Sequence, residues 1–256
     1  STGDNPADVA IGDLNGDGKS DLITANRDSH NITVFTNTGS GTFGTGVTYP
    51  TIATYPVSVT STDVNGDGKL DVFIGGGKNQ AASVFIQTGN SFTELKQDVF
   101  KTLAYFENTA NVFFDADKDG DLDVLVGSRS VPKEFGMPAS SYLWINDGMG
   151  HFTDQTKQLA PGLLEVGMLR DIAMLDLNGD KQEEIVCVGD FMAPVAFEIK
   201  NKKLVKYSTD LSNFSGIWSA VSVADFNQDG KMDLILGNVG QNSSCFNQSI
   251  LPIKIR

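Results

Sequence analysis

The chain has 256 residues, a hydrophobic fraction of 40% and a formal net charge of −13. This acidity argues against nucleic acid as a partner, because phosphate binding needs clustered Lys and Arg. No apolar run approaches the ~20 residues that span a bilayer, so we expect no membrane insertion.

An acidic nine-residue loop occurs five times along the chain. Oxygen-bearing side chains stand at its positions 1, 3, 5 and 9, and glycine stands at position 6 in four copies. The copies begin at Asp13, Asp63, Asp115, Asp176 and Asp225, at intervals of 50, 52, 61 and 49 residues. Such a period predicts a repeat architecture. We expect a single domain of five units with approximate bounds 1–54, 55–107, 108–166, 167–215 and 216–256.

Each loop lies between two predicted strands. Before it, apolar residues alternate with a period of two, as in Val9 and Ile11, and this alternation indicates a strand. After it, a dense apolar run such as Val72-Phe-Ile indicates a strand that is packed on both faces.

Units 1 to 4 contain two further predicted strands. The third strand covers residues 32–35, 83–86, 142–145 and 195–199, and a turn follows it. An apolar residue then opens a returning strand: Phe43, Phe92, Phe152 and Leu204. Four antiparallel strands in about 50 residues predict the blade of a β-propeller. We therefore predict an all-β propeller of five blade units, with four-stranded antiparallel blades and the acidic loop between strands 1 and 2.

The fifth unit is shorter than the others. After Asp233 it has a second strand, an irregular stretch at 238–249 and one further predicted strand at 251–255. The last blade is therefore expected to be incomplete. Either the ring closes on it, or the chain is part of a larger propeller.

The acidic loop has the composition of a calcium site. Ca²⁺ takes about 6 to 8 oxygen ligands in flexible geometry, and position 7 adds its backbone carbonyl. The predicted ligand residues are Asp13, Asn15, Asp17, Lys19 and Asp21 in loop 1, Asp63, Asn65, Asp67, Lys69 and Asp71 in loop 2, Asp115, Asp117, Asp119, Asp121 and Asp123 in loop 3, Asp176, Asn178, Asp180, Gln182 and Glu184 in loop 4, and Asp225, Asn227, Asp229, Lys231 and Asp233 in loop 5. We expect four or five structural Ca²⁺ ions.

Loop 4 is predicted to be the weakest site. Lys181 replaces the glycine of position 6, and Glu184 replaces the aspartate of position 9. For every loop the alternative to a metal site is an unoccupied turn that Asp and Asn side chains stabilise.

An EF-hand is a second interpretation of the same loop. It closes with a bidentate Glu at position 12 and continues into a helix. Position 12 holds Thr24, Ile74, Val126, Cys187 and Leu236, each within a strand-like run. The sequence therefore favours a strand–loop–strand unit.

The repeated Asp-x-Asn/Asp-x-Asp-Gly-x-x-Asp-apolar loop resembles the FG-GAP/VCBS repeat of integrin α-subunit propellers and many bacterial surface proteins. Units 3 to 5 are similar to a bacterial branch that often carries an ASPIC/UnbV-type domain, through Val131-Pro132, Ser141-Tyr-Leu, Asn146-Asp-Gly148, Gly216-Ile-Trp218 and Gly237-Asn-Val-Gly240. The resemblance implies a calcium-stabilised binding or adhesion scaffold that is extracellular, at the cell surface or periplasmic. Its ligand, an unknown protein or glycan, is not marked.

Residues suited to catalysis are scarce, so we expect no enzyme. The only histidines, His30 and His151, fall at predicted turns, and the paired carboxylates are explained as metal ligands. Protein interaction is the favoured role, a lectin is the alternative, and a propeller hydrolase or lyase is the least favoured interpretation. Trp144 and Tyr142 alternate on a predicted strand and are expected in the core, whereas Trp218 lies nearer a ring face and is the better sugar-stacking candidate.

The two cysteines leave two interpretations open. Cys187 falls in an apolar run, where a buried thiol is expected. A disulfide between Cys187 and Cys245 is the alternative.

Overall fold

The computed structural model describes residues 2–51, 55–77, 80–131 and 133–239 of the chain. Within these residues, and apart from two small hairpins, four four-stranded antiparallel sheets are followed by a two-stranded one, and these five sheets are numbered blades 1 to 5 in chain order. The strands of blades 1 and 2 are β1 Pro6–Gly12, β2 Asp21–Asn26, β3 Asn31–Phe35, β4 Asn37–Gly39, β5 Thr42–Phe43, β6 Val47–Pro50, β7 Pro56–Thr62, β8 Asp71–Gly76, β9 Ser83–Thr88 and β10 Ser91–Leu95. Those of blades 3 to 5 are β11 Asn108–Phe114, β12 Asp123–Ser128, β13 Ser130–Val131, β14 Glu134–Pro138, β15 Tyr142–Asn146, β16 Phe152–Asp154, β17 Met168–Leu175, β18 Glu184–Asp190, β19 Val195–Lys200, β20 Lys203–Tyr207, β21 Trp218–Ala224 and β22 Asp233–Asn238.

Among the described residues, helical structure is confined to short connections. They are the α-helix α1 Thr156–Leu159 and the 3₁₀ turns Asp98–Tyr105, Pro161–Leu163 and Asp210–Asn213. In the described ranges, no helix is long and apolar enough to cross a membrane.

Blade 1 differs from the prediction in its fourth strand. The sheet order is β1-β2-β3-β6, so the outer strand is Val47–Pro50. Phe43, predicted to open that strand, lies instead in the small hairpin β4-β5 and is 42% exposed. The hairpin inserts residues 37–43 between the third and fourth strands. The period-two pattern alone does not distinguish the hairpin strand at Phe43 from the outer strand of the blade. In blades 2, 3 and 4 the predicted residues Phe92, Phe152 and Leu204 do lie in the fourth strand.

Neighbouring blades stack face to face, so that blades 2, 3 and 4 are covered on both faces. Their first strands contact in series, β1 with β7, β7 with β11, β11 with β17 and β17 with β21. Four apolar clusters fill the successive layers; that between blades 3 and 4 contains Leu125, Leu143, Cys187 and Phe197. Because the second strands of blades 2, 3 and 4 are covered on two sides, they have the continuous apolar runs seen in the sequence. The predicted β-propeller fold is confirmed.

The first strand of the same blade leaves little room at the end of the second strand. A Cβ atom on Gly189 would clash with the backbone oxygen of Met168, and one on Gly75 would clash with Ser58 Oγ. These glycines end the apolar runs because β17 and β7 pass directly beside them.

The two ends of the blade series are more exposed than its middle. Val9 and Ile11 of β1 are 53% and 64% exposed, whereas Val59 of β7 and Ile172 of β17 are 4% and 9% exposed. Val59 and Ile172 pack against the preceding blade. In the described ranges no blade covers the face of β1 that carries Val9 and Ile11. The predicted strand at 251–255 and Cys245 lie outside the described residues.

The core placement of Trp144 is correct, because this side chain is fully buried. Cys187 is also buried, as expected for a thiol in an apolar run. The choice of Trp218 as a sugar-stacking residue is wrong. Its side chain is 2% exposed, and its indole Nε1 donates a hydrogen bond to the backbone oxygen of Met192 at 3.1 Å.

Candidate metal centre

Each acidic loop is folded around the carboxylate at position 1. Asp13 accepts hydrogen bonds from the amides of Gly16 and Gly18, both at 2.8 Å. Asp63 accepts the equivalent pair in loop 2 at the same distance. The amide of Gly18 is the main cause of a lowered pKa at Asp13. The carboxylate therefore stays ionised and holds the loop in a closed turn.

Positions 3 and 5 continue this pattern along the loop. In loop 1, Asn15 Oδ1 accepts the amide of Asp17 at 2.9 Å, and Asp17 Oδ1 accepts the amide of Lys19 at 3.0 Å. Loops 2, 4 and 5 repeat both bonds, at distances from 2.7 to 3.1 Å. The predicted ligands of these positions thus lie along one inward-curving turn.

The position-7 side chains of loops 1 and 2 form exposed ion pairs. Lys19 Nζ lies 2.9 Å from Asp17 Oδ2, and Lys69 Nζ lies 3.4 Å from Asp67 Oδ2. Exposed pairs of this kind contribute little to stability. The predicted contribution of position 7 (Lys19, Lys69, Asp121, Gln182 and Lys231) is its backbone carbonyl, which does not depend on the side chain.

Two positions of each loop adopt left-handed backbone conformation. Position 6 has φ of +80° at Gly18 and +71° at Lys181, and Gly68, Gly120 and Gly230 are also positive. Position 4, which the sequence pattern had not singled out, has φ of +74° at Gly16 and +61° at Lys118. The signal was present, since Gly16, Gly66 and Gly179 occupy position 4 in three of the five copies. Glycine adopts this conformation at little cost, whereas other residues resist it.

Position 9 is a buried anchor as well as a predicted ligand. Asp21, Asp71 and Asp123 have no exposed surface. One oxygen of each accepts the amide of position 2 in its own loop, at 3.0, 3.0 and 2.8 Å. The other accepts a backbone amide at the end of the third strand, from Asn37, Gln87 or Asn146, at 2.7, 2.8 and 2.9 Å. A carboxylate has about four acceptor sites, so these bonds leave lone pairs for a cation.

Loop 3 brings three carboxylates together. One oxygen from each of Asp115, Asp117 and Asp123 lies within 4.8 Å of the others. Asp117 Oδ1 is buried and has no hydrogen-bond partner. Burial raises the pKa of Asp117, with Asp119 adding to the effect, and burial raises the pKa of Asp123 to about 6. Buried carboxylates that lack counter-charge are costly to ionise. These donors fit a hard divalent cation such as Ca²⁺, which supplies charge and takes oxygen ligands.

Loop 4 has the same turn but a different closure. Glu184 Oε2 accepts the amide of Leu177 at 2.7 Å, and its Oε1 accepts the side-chain Nδ2 of Asn178 at 3.0 Å. Two predicted ligands are thus bonded to each other. Asp176, Asp180 and Gln182 keep the turn that the other loops have.

Loop 5 keeps the shared frame. Asp225 Oδ2 accepts the amide of Gly230 at 2.8 Å, and Asp233 Oδ2 accepts the amide of Phe226 at 3.0 Å. Asn227 Nδ2 donates to Asp229 Oδ2 at 3.1 Å. Predicted ligands at positions 1, 3, 5 and 9 therefore lie on one turn here too.

A cleft of about 410 Å³ separates loops 3 and 4. Phe113 and Met174 contribute apolar surface to it, and Glu184 and Glu198 contribute acidic groups. Lys118 Nζ donates a hydrogen bond to Gln182 Oε1 at 2.8 Å and so links the two loops.

A propeller whose blades each place an acidic turn between their first two strands belongs to a class of repeat proteins built on oxygen-rich loops. The chain is a member of the FG-GAP-like repeat family, whose model matches residues 13–74, 63–126 and 176–236. The predicted FG-GAP/VCBS resemblance is thereby confirmed. The association with ASPIC/UnbV-type domains stays a prediction.

Several solved structures share this fold. An Agrocybe aegerita lectin that recognises non-reducing terminal N-acetylglucosamine is 19% identical, with a TM-score of 0.51 over 80% of this chain and 52% of the lectin. A Lactobacillus plantarum protein is 11% identical, with a TM-score of 0.51 over 80% and 55% of the two chains. Saccharomyces cerevisiae Sqt1 is 14% identical, with a TM-score of 0.52 over 87% and 54%. The chain thus spans about half the length of these proteins, and the likeness concerns the fold alone. A search of curated proteins found no match.

Proposed function

We propose that the chain is a calcium-stabilised, non-catalytic binding scaffold that mediates protein interaction outside the cytoplasm, as a secreted, cell-surface or periplasmic protein. The observation that carries the proposal is the set of exposed aromatic side chains at the end of the blades opposite the acidic loops. The end between strands 1 and 2 holds the acidic loops. The opposite end presents exposed aromatic and apolar side chains.

The calcium part of the proposal rests on loop 3. Its converging carboxylates and the unpaired Oδ1 of Asp117 match the oxygen preference of Ca²⁺. Loops 1, 2 and 5 share the turn geometry, and loop 4 is proposed as the weakest site. An ion in each loop offsets local repulsion and ties the first two strands of the blade together.

The binding part rests on the opposite end of the blades. Tyr105 is 72% exposed just before β11, Phe191 is 55% exposed just after β18, and Tyr55 is 46% exposed just before β7. Tyr55 and Phe191 also have φ of +65° and +56°. A bulky residue at positive φ is strained, and such strain clusters at binding and active sites. Exposed aromatic surface is typical of protein-interaction sites.

A lectin is the second candidate, supported by one specific contact. The rings of His30 and Tyr55 meet edge to face at 4.7 Å between centroids, beside the start of blade 2. An exposed aromatic ring held in place in this way is suited to stacking on a sugar.

Calcium dependence is tested by thermal unfolding with calcium and with excess EDTA. A site at a free calcium concentration 100-fold above its Kd contributes about 2.7 kcal/mol, so chelation should lower the melting temperature markedly. Elemental analysis of the purified protein should find bound calcium. An unchanged melting temperature, together with no bound metal, would contradict the calcium proposal.

Ligand class is tested with a glycan array and a panel of immobilised extracellular proteins. The variants F191S and Y55S should weaken binding about fivefold or more, as expected when an aromatic anchor is removed. F43S is the matched control, because Phe43 is 42% exposed near the acidic loops. Glycan binding that is lost in Y55S would favour the lectin. Binding that neither variant weakens would place the ligand elsewhere.

A further inference from the structure

The third strands of blades 1 to 3 end in a repeated polar position. Asn37, Gln87 and Asn146 each stand two residues after an aromatic residue that pairs with the second strand: Phe35, Phe85 and Trp144. Their backbone amides donate to the position-9 carboxylates of their own blades. This position therefore connects the third strand to the acidic loop.

Two of these side chains also reach the preceding blade. Gln87 Nε2 donates to the backbone oxygen of Leu14, at position 2 of loop 1. Asn146 Nδ2 donates to the backbone oxygen of Val64, at position 2 of loop 2, at 2.8 Å. The position-2 residues are the same ones whose amides bind Asp21 and Asp71.

These bonds form one continuous relay across three blades. It runs from Asp21 through Leu14 and Gln87 to Asp71, and then through Val64 and Asn146 to Asp123. Every hydrogen bond in the relay joins an N–H donor to an oxygen acceptor.

The relay is shielded from water along its length. Its three carboxylates are fully buried, and Gln87 and Asn146 are each 3% exposed. Leu14 and Val64 are 3% and 2% exposed. Water cannot replace a broken hydrogen bond at a buried site. If one carboxylate shifts, its hydrogen-bond partners must therefore shift with it, or a buried polar group is left unpaired.

The relay has no counterpart in blade 4. Its third strand pairs Phe197 with Ile185, and two residues later stands Ile199. Isoleucine has no side-chain donor. The position-9 residue Glu184 is held by Leu177 and Asn178 instead. Blade 4 therefore offers an internal reference for a loop without the link.

We infer that Gln87 and Asn146 are positioning residues that couple the calcium loops of blades 1, 2 and 3, so that filling one loop raises the calcium affinity of the next. This inference rests on the proposed calcium binding. A cation that binds the position-9 carboxylate would fix the position-2 residue, whose N–H donates to that carboxylate. The carbonyl oxygen of the position-2 residue then holds the side-chain amide of Gln87 or Asn146 in the next blade. The backbone N–H of the same Gln87 or Asn146 orients the position-9 carboxylate of that next blade. Pre-ordering one site lowers the cost of binding at its neighbour.

The test is calcium titration by calorimetry on the whole chain, with N146L as the main variant. This substitution removes the side-chain link, together with the side-chain bonds to Leu122 O and Gly150 N within blade 3, and keeps the backbone amide on Asp123. We expect an unchanged number of bound calcium ions, a Hill coefficient that falls towards one, and a midpoint weakened about fivefold or more. N146Q restores a side-chain amide and should recover wild-type cooperativity.

Two further variants make the result decisive. I199V alters the equivalent position of blade 4, where there is no link, and should leave both midpoint and Hill coefficient unchanged. Q87L cuts the link between loops 1 and 2 and carries the same test if N146L does not fold. Folding of each variant is checked by the fluorescence of Trp144 and Trp218.

The outcomes separate this inference from the function on which it rests. No calcium uptake by the wild-type chain would overturn both. Full uptake with the same midpoint and Hill coefficient in wild type, N146L and Q87L would overturn the relay and leave the calcium scaffold standing. A weakened midpoint that N146Q does not restore would show a structural effect of the substitution and would also overturn the relay.

Discussion

Blades 3 and 4 have the same sheet topology and share one apolar cluster, yet their acidic loops differ. Loop 3 brings Asp115, Asp117 and Asp123 together around an unpaired oxygen. Loop 4 keeps the same turn with a strained Lys181, and its Glu184 is bonded to Asn178. The turn therefore forms without the full set of converging carboxylates, because backbone amides that donate to the position-1 carboxylate close it.

The departures in blade 4 occur together. Position 6 is lysine, position 9 is glutamate, and the third strand has Ile199 where blades 2 and 3 have a side-chain amide. The longer Glu184 reaches both Leu177 and Asn178, so the loop is closed from within. In blade 3, Asn146 closes the loop from the neighbouring strand. The stability of loop 4 is therefore expected to depend less on calcium.

The largest effect should come from position 9. D123N removes a predicted carboxylate ligand of loop 3. The new NH₂ group also faces one of the two backbone N–H groups that donate to Asp123, so one hydrogen bond is lost. We expect one fewer bound calcium and a loss of about 2.7 kcal/mol of calcium-dependent stability at 100-fold excess over Kd. Chemical denaturation with calcium and with EDTA measures this difference.

E184Q is the matched change in loop 4. Because loop 4 is proposed as the weakest calcium site, the effect of E184Q on calcium-dependent stability should be much smaller. Equal losses in D123N and E184Q would contradict the distinction between the two loops.

A smaller effect is expected at position 6 of loop 4. Lys181 has φ of +71°, and a side chain in the left-handed region costs about 1–2 kcal/mol. K181G should relieve most of this strain and strengthen calcium binding by loop 4, which makes it more like loop 3. Calorimetric titration and thermal unfolding measure the two effects.

K181Q separates charge from backbone strain. It removes the positive charge and leaves the left-handed conformation occupied by a side chain. If K181Q stabilises the protein as much as K181G, then charge rather than backbone strain limits loop 4.

The smallest effect concerns the first strands. Blade 4 has Asp171 where blade 3 has Ala110. Asp171 Oδ2 accepts the amide of Val221 in blade 5 at 2.9 Å. Burial raises the pKa of Asp171 above its ordinary value, and the charge of Asp8 on blade 1 adds to the effect. The stabilising contribution of a group with a raised pKa is complete below its unfolded pKa and is lost as pH rises through the folded value.

Asn at position 171 does not titrate, whereas the wild type loses stability as the pH increases beyond the ordinary aspartate pKa of about 4. The melting temperature of D171N relative to that of the wild type should therefore rise over this pH range. Both proteins are measured in saturating calcium. D98N is the control, because Asp98 is exposed and a hydrogen bond from Lys101 lowers its pKa. A D171N difference that stays constant with pH would contradict the buried-carboxylate interpretation.

Local patterning predicted most of the strands. The alternating and continuous apolar runs identified the first and second strands of all five units and the third strands of four. The fourth strand of blade 1 was misplaced at Phe43 because an extra hairpin has the same turn residues as a direct return. Trp218 was judged exposed from its position near a strand end, and only its burial and its hydrogen bond to Met192 showed otherwise.

The amino-acid pattern specifies the repeat, the number of units and the composition of each loop. These follow from residue spacing, because five copies of one acidic pattern fix where the chain turns. Tertiary structure alone decided which oxygens converge, how position 9 is shared between loop and third strand, and which side chains link one blade to the next. Gln87 and Leu14 are far apart in the chain. Their hydrogen bond forms because stacking two blades brings a buried amide and a buried carbonyl to the same place.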